Sequence, residues 1–173
     1  AVNGAGLPLG VLDMQFHTRE EVSCRDKRST EELPIEKKES YRWLSSASKV
    51  NSLFNTNTNV VHVCDREADI FELFHHIEEE ESQFLVRSRS NRRLEEEQKL
   101  YELLEASEVD AGATYNIPSK GGRKPRTAKV QIKFVEGTLT IPQQRGLNSV
   151  KRLSSVDIWC IEVKEIESPA DGE

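Results

Sequence analysis

The chain has 173 residues, 36% of them hydrophobic and 31% charged, which fits a soluble globular protein of one domain or a core with a small appendage. No apolar stretch is long enough to span a bilayer. The net charge of −6 argues, on its face, against nucleic-acid binding, yet the charges are segregated. Acidic runs stand at Glu78–Glu81 and Glu95–Glu97, and basic residues crowd positions 87–93 and 120–133.

Cys24, Cys64 and Cys160 are odd in number and widely spaced. That pattern suggests neither a disulfide framework nor a zinc knuckle and fits reduced cytosolic thiols. No leader pattern opens the chain. It begins without Met and ends in the loop-like "ESPADGE", so a piece of a larger protein is expected.

Taken in order, Asn3-Gly4-Ala5-Gly6 is a turn signal, with Ala1-Val2 before it and a strand predicted over Leu7–Phe16. Residues 24–34 are polar and read as a loop. From Lys38 the pattern is helical, with Trp43, Ala47, Val50 and Phe54 on one face. Val60, Val61 and Val63 form a β-branched run suited to a central strand buried on both faces. A second amphipathic helix follows, with Ile70, Phe71, Leu73, Phe74 and Ile77. Gln83–Ser88 reads as a strand and Leu100–Leu104 as a short helix. This alternation of strand and helix implies an α/β layer. From Thr114 onward the signals are β alone: 115–117, 128–135, 138–141 and 155–166, with Glu136-Gly137 read as a tight turn. The expected organisation is a core over 1–108 and an antiparallel β-rich insertion with one wet face over 109–173. Trp43 and Trp159 are expected in the core, and His62, His75 and His76 in structural or solvated roles.

The stretch "NVVHVCDREADIFELF" puts an ionisable Asp65 at the seam between strand and helix. In open α/β sheets, sites form beyond the carboxyl ends of the strands. An N-cap is the plain reading of Asp65. Arg66, Glu67 and Asp69 add more charge than a cap needs, and Asp69 stands one turn on, where it could cap or tune the first turn itself. A carboxylate at a sheet edge suits a hard, oxygen-seeking cation, although one carboxylate is not a complete site.

"VCDREADIFELF" resembles the signature around the second catalytic Asp of the bacterial insertion-sequence DDE transposases. These are cut-and-paste enzymes with a ribonuclease-H-like core. Further blocks match in order: "GLPLGVLDMQ", "KKESYRWL", "FLVRSRSNRRL" and "IPSKGGRKPRTAKVQI". The last resembles the family's DNA-contacting β insertion, although Ala113 stands where a family member has Tyr, so Tyr115 does not inherit that role. The resemblance covers nearly the whole chain. It implies a partial ribonuclease-H-like mixed sheet with flanking helices, followed by a C-terminal antiparallel β-rich insertion. It also implies that Asp65 is catalytic and holds Mg²⁺ or Mn²⁺, while the family's first Asp and its Glu fall outside this sequence. Arg66, Arg87, Arg89, Lys120, Arg123 and Arg126 are the implied DNA-binding residues. The implied partners are transposon-end and target DNA. The full-length protein is expected as a dimer on DNA in the bacterial cytoplasm, with the fragment a monomer, inactive alone, and no membrane involved. Two alternatives stay open: a nuclease of the same superfamily, and a non-catalytic DNA-binding remnant of a decayed element.

Overall fold

A computed structural model describes residues 1–16, 35–55, 57–122, 124–141 and 155–167. The fold is mixed α/β. Among the described residues it has three α-helices, one parallel two-stranded sheet and one antiparallel three-stranded sheet. They form two compact units, residues 1–90 and residues 91–140 with 155–167. The expected loop over 24–34 lies outside the described residues.

In the first unit, helix α1 spans Tyr41–Asn51, strand β1 Val61–Cys64, helix α2 Phe71–Glu79 and strand β2 Gln83–Val86. The strands pair in parallel, from Val61 with Gln83 to Cys64 with Val86. A parallel pair needs a crossover, and α2 supplies it. Alternation then sorts the side chains. Phe84, Val86 and Cys64 face a core of Leu44, Ala47, Ala68, Leu73 and Ile77. Phe84 stacks on Phe74 at 4.7 Å between ring centroids. Helix α2 carries the core because Phe71, Leu73, Phe74 and Ile77 are all at most 4% exposed, as its apolar spacing predicts. Helix α1 turns a slightly different stripe inward, Leu44 with Ala47, while Trp43 is half-buried beside it. Phe54 lies beyond the helix end and is exposed.

Two expectations for this unit are overturned. The segment Leu7–Phe16 forms no strand. A single antiparallel bridge joins Val2 to Pro8, and the Asn3 side chain takes the amides of Ala5 and Leu7, which confirms the turn. Pro8 has no N–H to extend a ladder, and Gly10 sits at φ 133, so the pairing stops there. Second, β1 is not buried on both faces. Among the described residues it pairs with β2 alone, and Val61 and Val63 remain 47% and 71% exposed.

In the second unit, helix α3 spans Leu100–Ala106, and strands β3 (Ala111–Ile117), β4 (Arg126–Leu139) and β5 (Val156–Ile166) lie antiparallel in that order. Leu100 and Leu104 pack on Cys160, with Leu103, Val135 and Ile158 around them. Lys133 donates from Nζ to the Leu104 carbonyl at 2.8 Å, placing a cation on the last carbonyls of α3.

The turn expected at Glu136-Gly137 is absent, because β4 runs straight through it. Glu136 pairs with Trp159 and Gly137 with Ile158 in an unbroken ladder. The glycine serves packing instead. A Cβ there would meet Leu103 Cδ2 at 3.1 Å and Leu94 Cδ1 at 3.3 Å. One face of this sheet is exposed as expected, but apolar side chains stand on it. Phe134, Trp159, Ile161 and Val163 are all 45–60% exposed, so Trp159 is no core residue. Trp159 meets Phe134 edge-to-face at 6.1 Å.

Candidate functional site

The parallel β1–α2–β2 unit fixes where its strand ends point. Both strands run the same way, so the segments following Cys64 and Val86 emerge together. Their register continues past the strands, with the Arg87 amide donating to the Cys64 carbonyl at 3.2 Å. Asp65 and Arg87 are therefore neighbours on adjacent strand ends, which lie about 4.8 Å apart in any sheet.

The block Cys64–Asp69 divides its labour residue by residue. Cys64 faces the core; burial, and then the charge of Asp65, pushes its thiol pKa up. Asp65 is exposed and extended, and its Oδ1 accepts the Glu67 amide at 2.9 Å. It thus caps the 3-10 turn Arg66–Ala68 while the residue as a whole stays exposed. Arg66 is exposed. Glu67 pairs with Arg42 of α1 at 2.7 Å, and Arg42 also holds Glu39 at 2.9 Å. Ala68 is fully buried. Asp69 ends the turn, and its Oδ2 accepts the Arg89 amide at 2.7 Å.

Asp65, Arg66, Arg87 and Arg89 are thus brought to one rim, the carboxyl end of the parallel pair, and all four are exposed. Two links at this rim escape sequence reasoning. One is Arg42–Glu67, which ties the "KESYRWL" block to the "CDREAD" block. The other is Asp69 to the Arg89 backbone. The first leaves a weak signal, a cation on the first turn of a helix. The second leaves none, because a backbone amide has no signature in sequence.

The remaining implied DNA-binding residues belong to the second unit. Lys120 is exposed and stands before Gly121 and Gly122, which take φ 59 and 88 at the β3–β4 turn. These positive φ values favour glycine. Arg123 lies outside the described residues. Arg126 is half-buried on β4 and pairs bidentately with Glu165 of β5, its Nη2 lying 3.1 Å from Oε2. That hydrogen bond holds the Glu165 carboxyl below its usual range. Arg126 is therefore engaged within the fold rather than held open for phosphate.

The histidines have structural partners. His62 Nε2 bonds Asn51 Oδ1 at 2.9 Å, and His76 Nε2 bonds Ser48 Oγ at 2.6 Å. Glu80 accepts from Ser48 at 2.8 Å and from Asn51 at 2.6 Å, so this polar net joins α1, β1 and the end of α2. It is not a nucleophilic triad. The Glu80 carboxylate approaches the same histidine nitrogen as the serine does, whereas a triad acid holds the opposite one. His75 is buried, with Nδ1 3.5 Å from Glu79.

A hard divalent cation takes oxygen ligands, and Asp65 offers one of the right kind. Among the described residues, no group of three or more His, Cys, Asp or Glu side chains is arranged to hold a metal ion. The donor fits in type, and the set needs further carboxylates. Nor is any described helix long and apolar enough to cross a membrane.

No family model matches this chain. No curated protein matches it either.

Proposed function

We propose that this chain is the central part of the catalytic domain of a DDE-type DNA transposase, built on a ribonuclease-H-like core, with Asp65 as one carboxylate of its metal site. The observation that carries the reading is the rim itself. The carboxylate and the arginines of two motif blocks, 22 positions apart between Asp65 and Arg87, emerge side by side at the carboxyl end of a parallel strand pair. That is where α/β sheets place their sites. The ordered series of motif resemblances supplies the identity of the chemistry.

In this reading Asp65 holds Mg²⁺ or Mn²⁺ together with an Asp and a Glu from flanking sequence. The bound metal would activate the attacking oxygen and stabilise the leaving one during phosphodiester cleavage and strand joining. Asp65 suits the role, because the Glu67 amide fixes one of its oxygens and the residue remains exposed. Arg87 and Arg89 contact backbone phosphate beside the scissile bond. Such contacts position DNA without reading its sequence. Lys120 and its hairpin add further backbone contacts.

The test has two arms. The isolated chain, incubated with Mg²⁺ and a labelled duplex, gives no nicks. The protein with its flanking segments restored cleaves and joins transposon-end DNA, and Asp65→Asn abolishes both steps. Cleavage without joining identifies a hydrolytic nuclease. Nicking by the isolated chain that vanishes in Asp65→Ala shows that the partner carboxylates lie within these 173 residues and overturns the central-fragment reading.

A further inference from the structure

The motif block contains a second aspartate that the metal reading does not use. Asp69 is half-buried. It lies four residues from Asp65, at the end of the short turn that Asp65 begins. Its Oδ2 reaches across to the loop after β2 and accepts the Arg89 amide at 2.7 Å. A hydrogen bond of this length to a charged acceptor is of the stronger kind. It joins two segments 20 positions apart in sequence. The β ladder ends at Cys64–Val86, and the Arg87 amide makes one further bond to the Cys64 carbonyl. The Asp69 bond thus carries the alignment of the two segments beyond the end of the sheet.

We infer that Asp69 is a positioning residue that clamps the Arg87–Arg89 loop against the Asp65 turn, so that the two arginines meet a DNA backbone in fixed register with the carboxylate. The inference rests on the transposase reading for the identity of the ligand. It assigns to Asp69 no contact with DNA or metal. A negative charge beside a phosphate-binding rim is unfavourable by itself, so the contribution assigned to the side chain is the one it makes through the Arg89 amide.

That opposition of charge and geometry gives a clean experiment. Asp69→Asn and Asp69→Ala remove the same charge, but Asn keeps a carbonyl oxygen that accepts the Arg89 amide. Binding of the full chain to a duplex of about 30 base pairs, long enough to offer several phosphates to one protein, is measured at low salt for both variants and for the Arg87→Ala, Arg89→Ala double variant. Hydrogen exchange of the Arg89 amide is followed in parallel, and far-ultraviolet circular dichroism verifies the fold. Asp69→Asn is expected to bind at least as tightly as wild type and to protect the Arg89 amide. Asp69→Ala is expected to bind about fivefold more weakly than Asp69→Asn, the worth of one ordinary hydrogen bond, with the amide unprotected. Equal binding by the two Asp69 variants, while the double arginine variant is impaired, overturns the clamp and leaves the transposase reading standing. A double arginine variant that binds like wild type removes the arginine rim from DNA binding and overturns both.

Discussion

The two units handle charge in opposite ways. In the second unit, several charged and polar side chains close on each other or on the backbone. Arg126 pairs with Glu165, Lys133 caps α3, and Thr138 bonds Asp157. In the first unit, the rim beyond β1 and β2 turns Asp65, Arg66, Arg87 and Arg89 outward, while Arg42, Glu67 and Asp69 brace the backbone behind them. A charge paired across an antiparallel ladder serves the ladder. A charge displayed at parallel strand ends and held in place from behind is free to meet a ligand, as the proposed function requires. Basic composition alone does not separate the two cases, because the stretch 120–133 holds six basic residues and no acidic one and yet commits Arg126 and Lys133 to the fold.

The comparison breaks most sharply through the cores. Ile77→Ala empties a fully buried site and is expected to cost about 2–5 kcal/mol, read by urea unfolding. Amide protection in β3–β5 should persist while β1 and β2 lose theirs. In the other unit, Gly137→Val drives a branched side chain into Leu103 and Leu94 and is expected to cost about 1–3 kcal/mol by overpacking. If stability is unchanged, α3 does not rest on β4 as described.

DNA binding sharpens the contrast. Arg87→Ala with Arg89→Ala should lower affinity and flatten its salt dependence, by about 0.9 in log–log slope for each phosphate that is no longer neutralised, without lowering the melting temperature. Arg126→Glu should instead lower the melting temperature by setting like charges together at Glu165. A drop in affinity in Arg126→Glu at unchanged stability would show that the ion pair opens for phosphate.

The smallest effect is on pH. Burial holds the His62 pKa below its ordinary value of 6.5, with His76 acting the same way and Glu80 opposing. A depressed folded-state value means that the unfolded chain binds the extra proton first. The stabilisation is complete above about 6.5, the unfolded value, and is lost as pH falls through the folded one. Melting temperature followed from about pH 8 to about pH 5, the range that brackets an ordinary histidine, should therefore decline less in His62→Gln than in wild type.

Much of this fold is legible in the sequence. The apolar spacing of α2, the strand at Gln83 and the short α3 emerge as expected, because each buries one face against its own neighbours. Reading fails where long-range pairing decides the outcome. Leu7–Phe16 has strand-like residues but no partner strand among the described residues. Gly137 carries a turn signal, yet the β5 ladder holds it extended and uses its missing Cβ for packing. The candidate site shows the same division. Asp65 and the two arginines are visible as motif residues. That they share a rim follows from the parallel register, and the Asp69 clamp engages a backbone group that no side-chain pattern reveals.

The side of β1 and β2 away from the helices holds a practical consequence. Val61, Val63 and Leu85 stand 47–71% exposed on a short parallel pair. Among the described residues these strands pair only with each other, and strand edges left open beside β-branched residues are templates for adding further strands. A concentrated solution of this chain should therefore drift toward oligomers and thioflavin-positive aggregates. Val63→Lys, at a position whose side chain points away from the core, should slow that drift and leave the rim of Asp65, Arg87 and Arg89 in place.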